Sequence, residues 1–393
     1  MMYRIMICAV LGTSLAQAAP ATIDTERLSS IVRELASDEY EGRSPGTPGG
    51  RKTVEYLVEQ FSALGLEPGG ADGRWTHDVP MIHTLFEEPR KLQFVVDGEP
   101  QALQQKIDIE ASTVRAVDTI AIDAPVVFVG FGAHAPERDW DDYGDIDLEG
   151  KVALYLVNDP DFAAEPGEPA AGRFGNRRMT YYGRWAYKFE EAARRGAIAA
   201  LVIHETEAAG YGWNVASSSP GANYAVVSAA ESVPPVLVQG WLHGDVAAAL
   251  MKDAGYDLDA LRIRARSPGF EAFEMEGVSF ESDITVTVDH FESSNVLAKL
   301  PVLLIMQIAG GADLVEGGRE AGNPWIMDYL GNCYHQTCDA WDPDWDLRGA
   351  AQDMEQFQAI IEDLGNSRRW PQWKAGSEFK AIRDQSAGVR RAE

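Results

Sequence analysis

The segment Asn332–Asp339 contains the residues best suited to metal chemistry. It reads Asn-Cys-Tyr-His-Gln-Thr-Cys-Asp, so His335 stands between Cys333 and Cys338. Imidazole nitrogens and thiolate sulfurs are common zinc ligands. The two cysteines admit three interpretations: a local disulfide, two free thiols, or a Cys-x-His-x-x-Cys zinc site completed by Asp339. The zinc interpretation is disfavoured because the spacing is not a common zinc pattern.

An acidic run follows the histidine. Asp342, Asp344 and Asp346 have the Asp-x-Asp-x-Asp spacing of loops that bind hard cations such as calcium. Pro343 and Trp345 interrupt the run, and neither a glycine nor a trailing glutamate completes a calcium loop. We therefore favour a cap and an acidic first turn for a helix that begins near residue 346.

Two other candidate sites receive simpler explanations. His243 and Asp245 have the His-x-Asp spacing of some metal sites, but at a predicted helix start the aspartate is more simply a partner of the helix dipole. A serine hydrolase is disfavoured because Gly-x-Ser-x-Gly is absent and Ser44 lies in a predicted turn.

Residues 1–18 have the features of a secretory signal peptide. Arg4 supplies the charged region, residues 5–15 a short apolar core, and Ala16-Gln17-Ala18 a small-x-small cleavage site. The apolar core is too short to span a bilayer, and no later segment is long and apolar enough to do so. We therefore predict export to the periplasm or the extracellular space, an oxidising environment for the cysteines that remain.

Composition narrows the classes of function. The chain has 393 residues, enough for two or three domains, and 45% of them are hydrophobic, which favours folded domains over disorder. The formal net charge is -27. An acidic excess of this size repels phosphate backbones and attracts cations, so nucleic-acid binding is disfavoured.

The pattern of apolar residues predicts an α/β protein. Helical periodicity and buried strand-like runs alternate in the middle of the chain. The predicted helices cover residues 23–36, 54–64, 188–196, 241–253 and 346–364. The predicted strands include residues 125–132, 151–157, 197–203, 282–288, 294–300 and 302–307.

Several motifs, in the expected order, resemble the secreted bacterial di-zinc aminopeptidases that carry an inserted protease-associated (PA) domain. They are Asp38–Thr47 as the N-terminal signature, Trp140–Val152 and Tyr182–Ala197 as the PA domain, Asn295–Pro301 as the strand re-entering the peptidase domain, Tyr334–Asp339 as the last metal-ligand loop, and Trp370–Lys380 as the tail. The resemblance implies a peptidase sheet with flanking helices plus an inserted α/β PA domain. It also implies zinc as cofactor and peptides as substrates.

The same resemblance implies a division of the chain. After the signal peptide at 1–18, residues 19–118 correspond to the N-terminal part of the peptidase domain. Residues 119–270 correspond to the PA domain, and residues 271–393 to a C-terminal remnant of the peptidase domain.

One departure from the family pattern concerns the metal site. The family uses two histidines, two aspartates and a glutamate as ligands, with a neighbouring glutamate as general base. All but the last histidine lie between the Leu-Pro strand and the final loop. Here the interval Val302–Cys333 contains no histidine, and its acids form neither the His-x-Asp nor the Glu-Glu pair: Asp313, Glu316, Glu320 and Asp328. His335 therefore corresponds to the last ligand alone, and the central metal-binding segment is missing.

These observations predict a truncated peptidase sheet and a chain that lacks aminopeptidase activity, because one histidine cannot hold two zinc ions. We assign no catalytic residue. Two alternatives remain open: a non-catalytic module that binds peptides or proteins through the PA domain, and a defective product without a function of its own.

Overall fold

A computed structural model describes residues 23–87, 89–218, 221–227, 233–299, 318–365, 372–374 and 379–385. The predicted signal peptide and the predicted strand at 302–307 lie outside these residues, as do Asp313 and Glu316. Within the described ranges, no helix has the length and apolarity needed to cross a membrane.

The described part of the chain contains both helices and strands. The helices are α1 (Thr25–Leu35), α2 (Pro48–Ala63), α3 (Trp185–Arg194), α4 (Thr206–Ala209), α5 (Trp213–Ala216), α6 (Gly244–Asp253), α7 (Leu258–Arg264), α8 (Gly318–Asn332), α9 (Arg348–Gly365) and α10 (Lys380–Gln385). The strands are β1 (Glu67–Pro68), β2 (Thr76–Phe86), β3 (Lys91–Val96), β4 (Glu99–Ala102), β5 (Ile109–Ser112), β6 (Thr119–Gly130), β7 (His134–Ala135), β8 (Trp140–Asp141), β9 (Val152–Leu156), β10 (Ala199–His204), β11 (Ala222–Val226), β12 (Val238–His243), β13 (Phe273–Val296) and β14 (Ala298–Lys299).

The main sheet has the strand order β11-β2-β13-β6-β9-β10-β12-β5; β3 also pairs with β13, and β4 pairs with β3. Strands β6, β9, β10 and β12 are parallel. Every residue of β9 and β10 is buried, as expected for parallel strands covered on both faces. The α/β class and the predicted strands at 125–132, 151–157 and 197–203 are therefore confirmed.

Strand β13 connects the parallel strands to the antiparallel ones. Its 24 residues pair with β6 and β3 in the first half and with β2 in the second. One sheet thus takes strands from all three segments that the sequence divides at residues 118 and 270. Those boundaries stay a prediction.

The contacts divide the chain into two units. The larger consists of Arg43–Ala298 and Ala309–Ala340, and the smaller of Met1–Gly42, Lys299–Ile308 and Trp341–Glu393, counting the described residues of each. The cores of the larger unit lie on the two faces of the parallel strands.

The helices of the smaller unit bury little. No residue of α1 is buried, and among the described residues of α9 Ala351 alone is buried. Both helices are amphipathic, a pattern that in a folded domain normally accompanies packing of the apolar face. Within this unit, the Trp341 indole N–H donates to Ser29 Oγ over 3.2 Å, and the Arg33 guanidinium lies 5.6 Å from the Trp341 ring centre.

The starts of two predicted helices need correction here, and one helix was missed. Helix α2 begins at Pro48 rather than near 54, because Thr47 caps it and proline is favoured in the first turn. Helix α6 begins at Gly244, since residues 241–243 belong to β12. Helix α8 was not predicted at all: its first half contains Pro324, and its large apolar side chains are not confined to one face, with Trp325 66% exposed.

Candidate functional site

His335 lies in a tight turn that follows helix α8. The Cys333 N–H donates to the Tyr329 carbonyl over 2.9 Å, and the Gln336 N–H donates to the Cys333 carbonyl over 2.8 Å. His335 has a φ of 62°, in the left-handed region that few non-glycine residues adopt, and its side chain is exposed. The turn thus presents the imidazole to solvent.

The two cysteines that flank His335 are joined to each other. Cys333 and Cys338 form a disulfide with their Cα atoms 5.4 Å apart. A disulfide sulfur is not a thiolate, and the thiolate is the form that binds zinc. In this state the Cys-x-His-x-x-Cys arrangement therefore offers a metal His335 and no sulfur ligand.

The carboxylate nearest in sequence to this turn is already engaged. Asp339 Oδ1 accepts a hydrogen bond from the Tyr329 hydroxyl over 3.0 Å, and partial burial together with this acceptor raises the pKa of Tyr329 to about 12. The imidazole of His335 itself lies against the Tyr334 ring, with the ring centres 4.0 Å apart. The ring of Tyr334 is therefore a close neighbour of this otherwise exposed histidine.

The donor set does not fit a di-zinc centre. Over the described ranges, no group of three or more His, Cys, Asp or Glu side chains is placed to hold a metal ion. Glu320 lies in the first turn of α8, and Asp328 accepts from the Asn332 amide over 2.8 Å within the same helix. His335 remains a single ligand, and we derive no catalytic step through zinc.

Carboxylates of the acidic run after His335 accept hydrogen bonds from nearby backbone N–H groups. Asp342 Oδ1 accepts from the Asp344 N–H over 2.8 Å, and Asp346 Oδ1 accepts from the Arg348 N–H over 3.1 Å, where α9 begins. The Arg348 side chain also holds the pKa of Asp346 down at about 2. A helix does follow this run, as predicted, but α9 starts two residues later than expected and its first turn contains no acidic residue, so the predicted acidic first turn is wrong.

His243 and Asp245 also occupy a helix start. His243 is the N-cap of α6, and its Nδ1 accepts from the Asp245 N–H over 3.2 Å. Asp245 lies in the first turn, as predicted. His204 is the register partner of His243 on the neighbouring parallel strand. Burial among aromatic rings lowers the pKa of His204 to about 4, so it is neutral at neutral pH.

A buried lysine that the sequence analysis missed lies at the carboxyl ends of β6 and β9. Lys188 is fully buried on α3, and its Nζ donates to the carbonyl oxygens of Phe131, Asn158 and Tyr182 over 2.5, 3.1 and 3.2 Å. Burial lowers its pKa to about 8. All three ammonium protons are used, so Lys188 joins three loops and has none left for a ligand.

Two buried aspartates, Asp142 and Asp159, lie near Lys188. Asp142 accepts from the Ala133 N–H and the Trp140 indole, each over 2.8 Å, and burial raises its pKa to about 7. Asp159 accepts from both the N–H and the hydroxyl of Thr180. These hydrogen bonds are all internal to the larger unit, so Asp142 and Asp159 hold its loops in place.

The fold is a mixed α/β sheet flanked by helices. No protein family and no curated protein matches the sequence. Among solved structures, the chain is similar to an aminopeptidase from Aneurinibacillus sp. strain AM-1, with 18% identity and a TM-score of 0.34 over 70% of this chain and 47% of the other. A zinc aminopeptidase from Bacillus subtilis gives 13% identity and a TM-score of 0.26 over 72% and 48%. The chain thus spans about half the length of these two proteins.

Proposed function

We propose that this chain is an exported polypeptide-binding protein of the metallo-aminopeptidase lineage that does not itself hydrolyse peptides. The ordered motifs of the sequence support the lineage. The observation that carries the second part is the environment of His335: both neighbouring sulfurs are paired and Asp339 is engaged by Tyr329.

The loss of activity follows from the chemistry of such sites. Two zinc ions require several ligands within about 2.3 Å of each metal and an open position for water. The metal then lowers the pKa of that water far enough to form a nucleophile at neutral pH. A single histidine cannot hold two zinc ions, and the described residues place no further ligands beside it, so no metal-activated water is expected.

The test is zinc content and turnover of the purified, oxidised protein. We expect far less than one zinc per chain after dialysis against micromolar zinc, and no release of nitroaniline from leucine p-nitroanilide. His335→Ala should change neither value. Two zinc ions per chain, with turnover that a chelator abolishes and His335→Ala removes, would overturn the proposal. A known zinc aminopeptidase serves as the positive control.

We assign polypeptide binding to the region of the larger unit that contains the parallel strands. Its strands and the α3 and α6 helices bury large side chains, among them Tyr155, Leu201 and Leu250. We assign residues 119–270 to this role, in line with the PA-domain resemblance. Capture of unfolded casein by the full chain, without cleavage, tests it. Failure to retain casein at any salt concentration counts against it.

Export is tested separately by the N-terminus of the protein recovered from the periplasm or the medium. We expect it to begin at Ala19, after the predicted cleavage site. Recovery only from the cytoplasm with Met1 intact would contradict export.

A further inference from the structure

A cavity of about 410 Å³ lies beside helix α3, at the ends of β5 and β12. Its walls are mainly apolar and include Trp185, Phe189, Ala193, Val114 and Pro235. The volume falls in the range of small-molecule and side-chain pockets in proteins. We call this space the α3 cavity.

One polar side chain contributes to the wall of the α3 cavity from inside the sheet. Gln239 sits in β12, with its backbone paired to Ala200 on β10 and Ser112 on β5. The residue is 8% exposed, and within the described part of the chain its side-chain amide makes no hydrogen bond. Because Gln239 lines the cavity, its amide is available to form hydrogen bonds with an occupant.

The direction of Gln239 follows from strand alternation. Val238 and Leu242 face the core that contains β3 and α6, whereas Trp241 faces the core beneath α3. Because side chains alternate along a strand, Gln239 shares the α3 face with Trp241. The amide thus meets the cavity from its floor, with a carbonyl that accepts and an NH₂ group that donates.

The charged residues at the cavity rim are paired with one another. Glu190 Oε2 accepts from the Tyr181 hydroxyl over 2.7 Å, and Arg194 lies 3.6 Å from that carboxylate. Arg194 Nε also donates to Glu191 over 2.7 Å. Glu190 and Arg194 thus both have partners within the protein. We therefore expect the ligand of the cavity to be uncharged.

Trp185 gives the opening an apolar surface. It is the first residue of α3, it is 44% exposed, and its ring lies 5.6 Å from that of Phe189 inside the cavity. Val233, on the other side, is 56% exposed. Exposed apolar side chains around a concave site are typical of binding surfaces.

We propose that the α3 cavity binds an apolar side chain from the interior of a polypeptide segment, and that Gln239 pairs with the backbone amide of that segment. A peptide unit offers one donor and one acceptor, which match the two ends of the glutamine amide. The proposal rests on the polypeptide-binding function above and names its site.

The direct test uses N-acetylphenylalaninamide, which has an aromatic side chain, two amides and no charge. We expect millimolar binding to the full chain in saturation-transfer NMR titrations. N-acetylphenylalanine and phenylalaninamide, which each carry a charge, should bind several-fold more weakly. Tighter binding of N-acetylphenylalanine would indicate a site for a chain terminus and overturn the proposal for an interior segment.

Variants separate the amide contact from the apolar contact. Gln239→Leu keeps the volume and removes the hydrogen bonds, so affinity for N-acetylphenylalaninamide should fall about tenfold, while toluene binds unchanged. Ala193→Leu fills the cavity and should weaken both ligands. Ile263→Ala, at an exposed apolar residue outside the cavity, should alter neither. Unchanged affinity in Gln239→Leu, with a normal melting curve, overturns the proposal.

The outcomes distinguish this site from the function on which it rests. If casein is retained equally by the parent chain, Gln239→Leu and Ala193→Leu, the chain binds polypeptides elsewhere and the cavity assignment fails alone. If the chain hydrolyses leucine p-nitroanilide, the proposed function fails while the titrations still decide the cavity.

Discussion

The side chain of Gln105 forms a two-way pair with the backbone of Ala111. Gln105 Nε2 donates to the Ala111 carbonyl oxygen over 2.7 Å, and the Ala111 N–H donates to Gln105 Oε1 over 2.9 Å. Ala111 is fully buried in β5, the terminal strand of the main sheet, which pairs with β12. One side chain thus takes the hydrogen-bonding positions that a further strand would fill, and it shields this edge from other chains.

Gln105→Leu should lower the free energy of unfolding by about 1–3 kcal/mol, because two backbone groups in a buried strand lose their partners. Urea unfolding measures the loss. Gln101→Leu is the matched control: its amide donates to Asp253 over 3.0 Å at an exposed position, and the change should stay within about 0.5 kcal/mol. Equal effects of the two substitutions would contradict the role of Gln105.

Features that depend on neighbouring residues in the sequence could be predicted, whereas features that depend on contacts between distant residues could not. Strands β9 and β10 could be predicted because buried parallel strands are continuous apolar runs. Lys188 could not be interpreted, because its three carbonyl partners come from separate loops. The sequence singled out His335 and the two cysteines beside it, but it left open whether those cysteines form a disulfide, stay free or bind zinc. The hydrogen bond between Tyr329 and Asp339 could not be predicted, because it depends on α8. That helix contains Pro324 and has no regular apolar face, so its sequence does not indicate a helix.

Lys188→Met should destabilise the larger unit by about 3–5 kcal/mol. The substitution leaves three buried carbonyl groups without a donor and removes the positive charge near Asp142 and Asp159. Urea unfolding followed by tryptophan fluorescence measures this loss. Lys252→Met, at an exposed site in the last turn of α6, should have little effect. A loss below about 1 kcal/mol for Lys188→Met would contradict the structural role.

Glu110 should make stability depend on pH. Burial raises its pKa from 4.5 to about 8, although the Gly221 N–H donates to its Oε1 over 3.1 Å. Because the folded pKa is above the unfolded one, this contribution to stability is complete below about pH 4.5 and is lost as pH rises towards 8. Glu110→Gln should therefore gain about 1–3 kcal/mol over the parent chain at pH 8, and little at pH 4.5.

Urea unfolding of Glu110→Gln at the two pH values measures this difference. Glu276→Gln, at an exposed position on β13, is the control and should follow the parent chain. If Glu110→Gln keeps the same slope of stability against pH as the parent, Glu110 is not the source of the dependence.

The helices of the smaller unit should open more readily than the central sheet. Since α1 buries no residue and Ala351 is the one buried residue among the described part of α9, local unfolding exposes little additional apolar surface. In hydrogen exchange followed by mass spectrometry, we expect their amides to exchange at least about 100-fold faster than those of α6, which buries Leu250 and Met251. Comparable protection would show that another surface covers these helices.

Strand β13 also sets the time at which the nascent chain can fold. It pairs Val296 with Thr76 and Thr285 with Thr119, so β2 and β6 leave the ribosome long before their common partner is made. At about 5–20 residues per second, β2 stays unpaired on that side for on the order of ten seconds or more. During synthesis these strand edges stay open to pairing with other chains, and a chain that ends before residue 273 lacks the strand that joins β2 to β6.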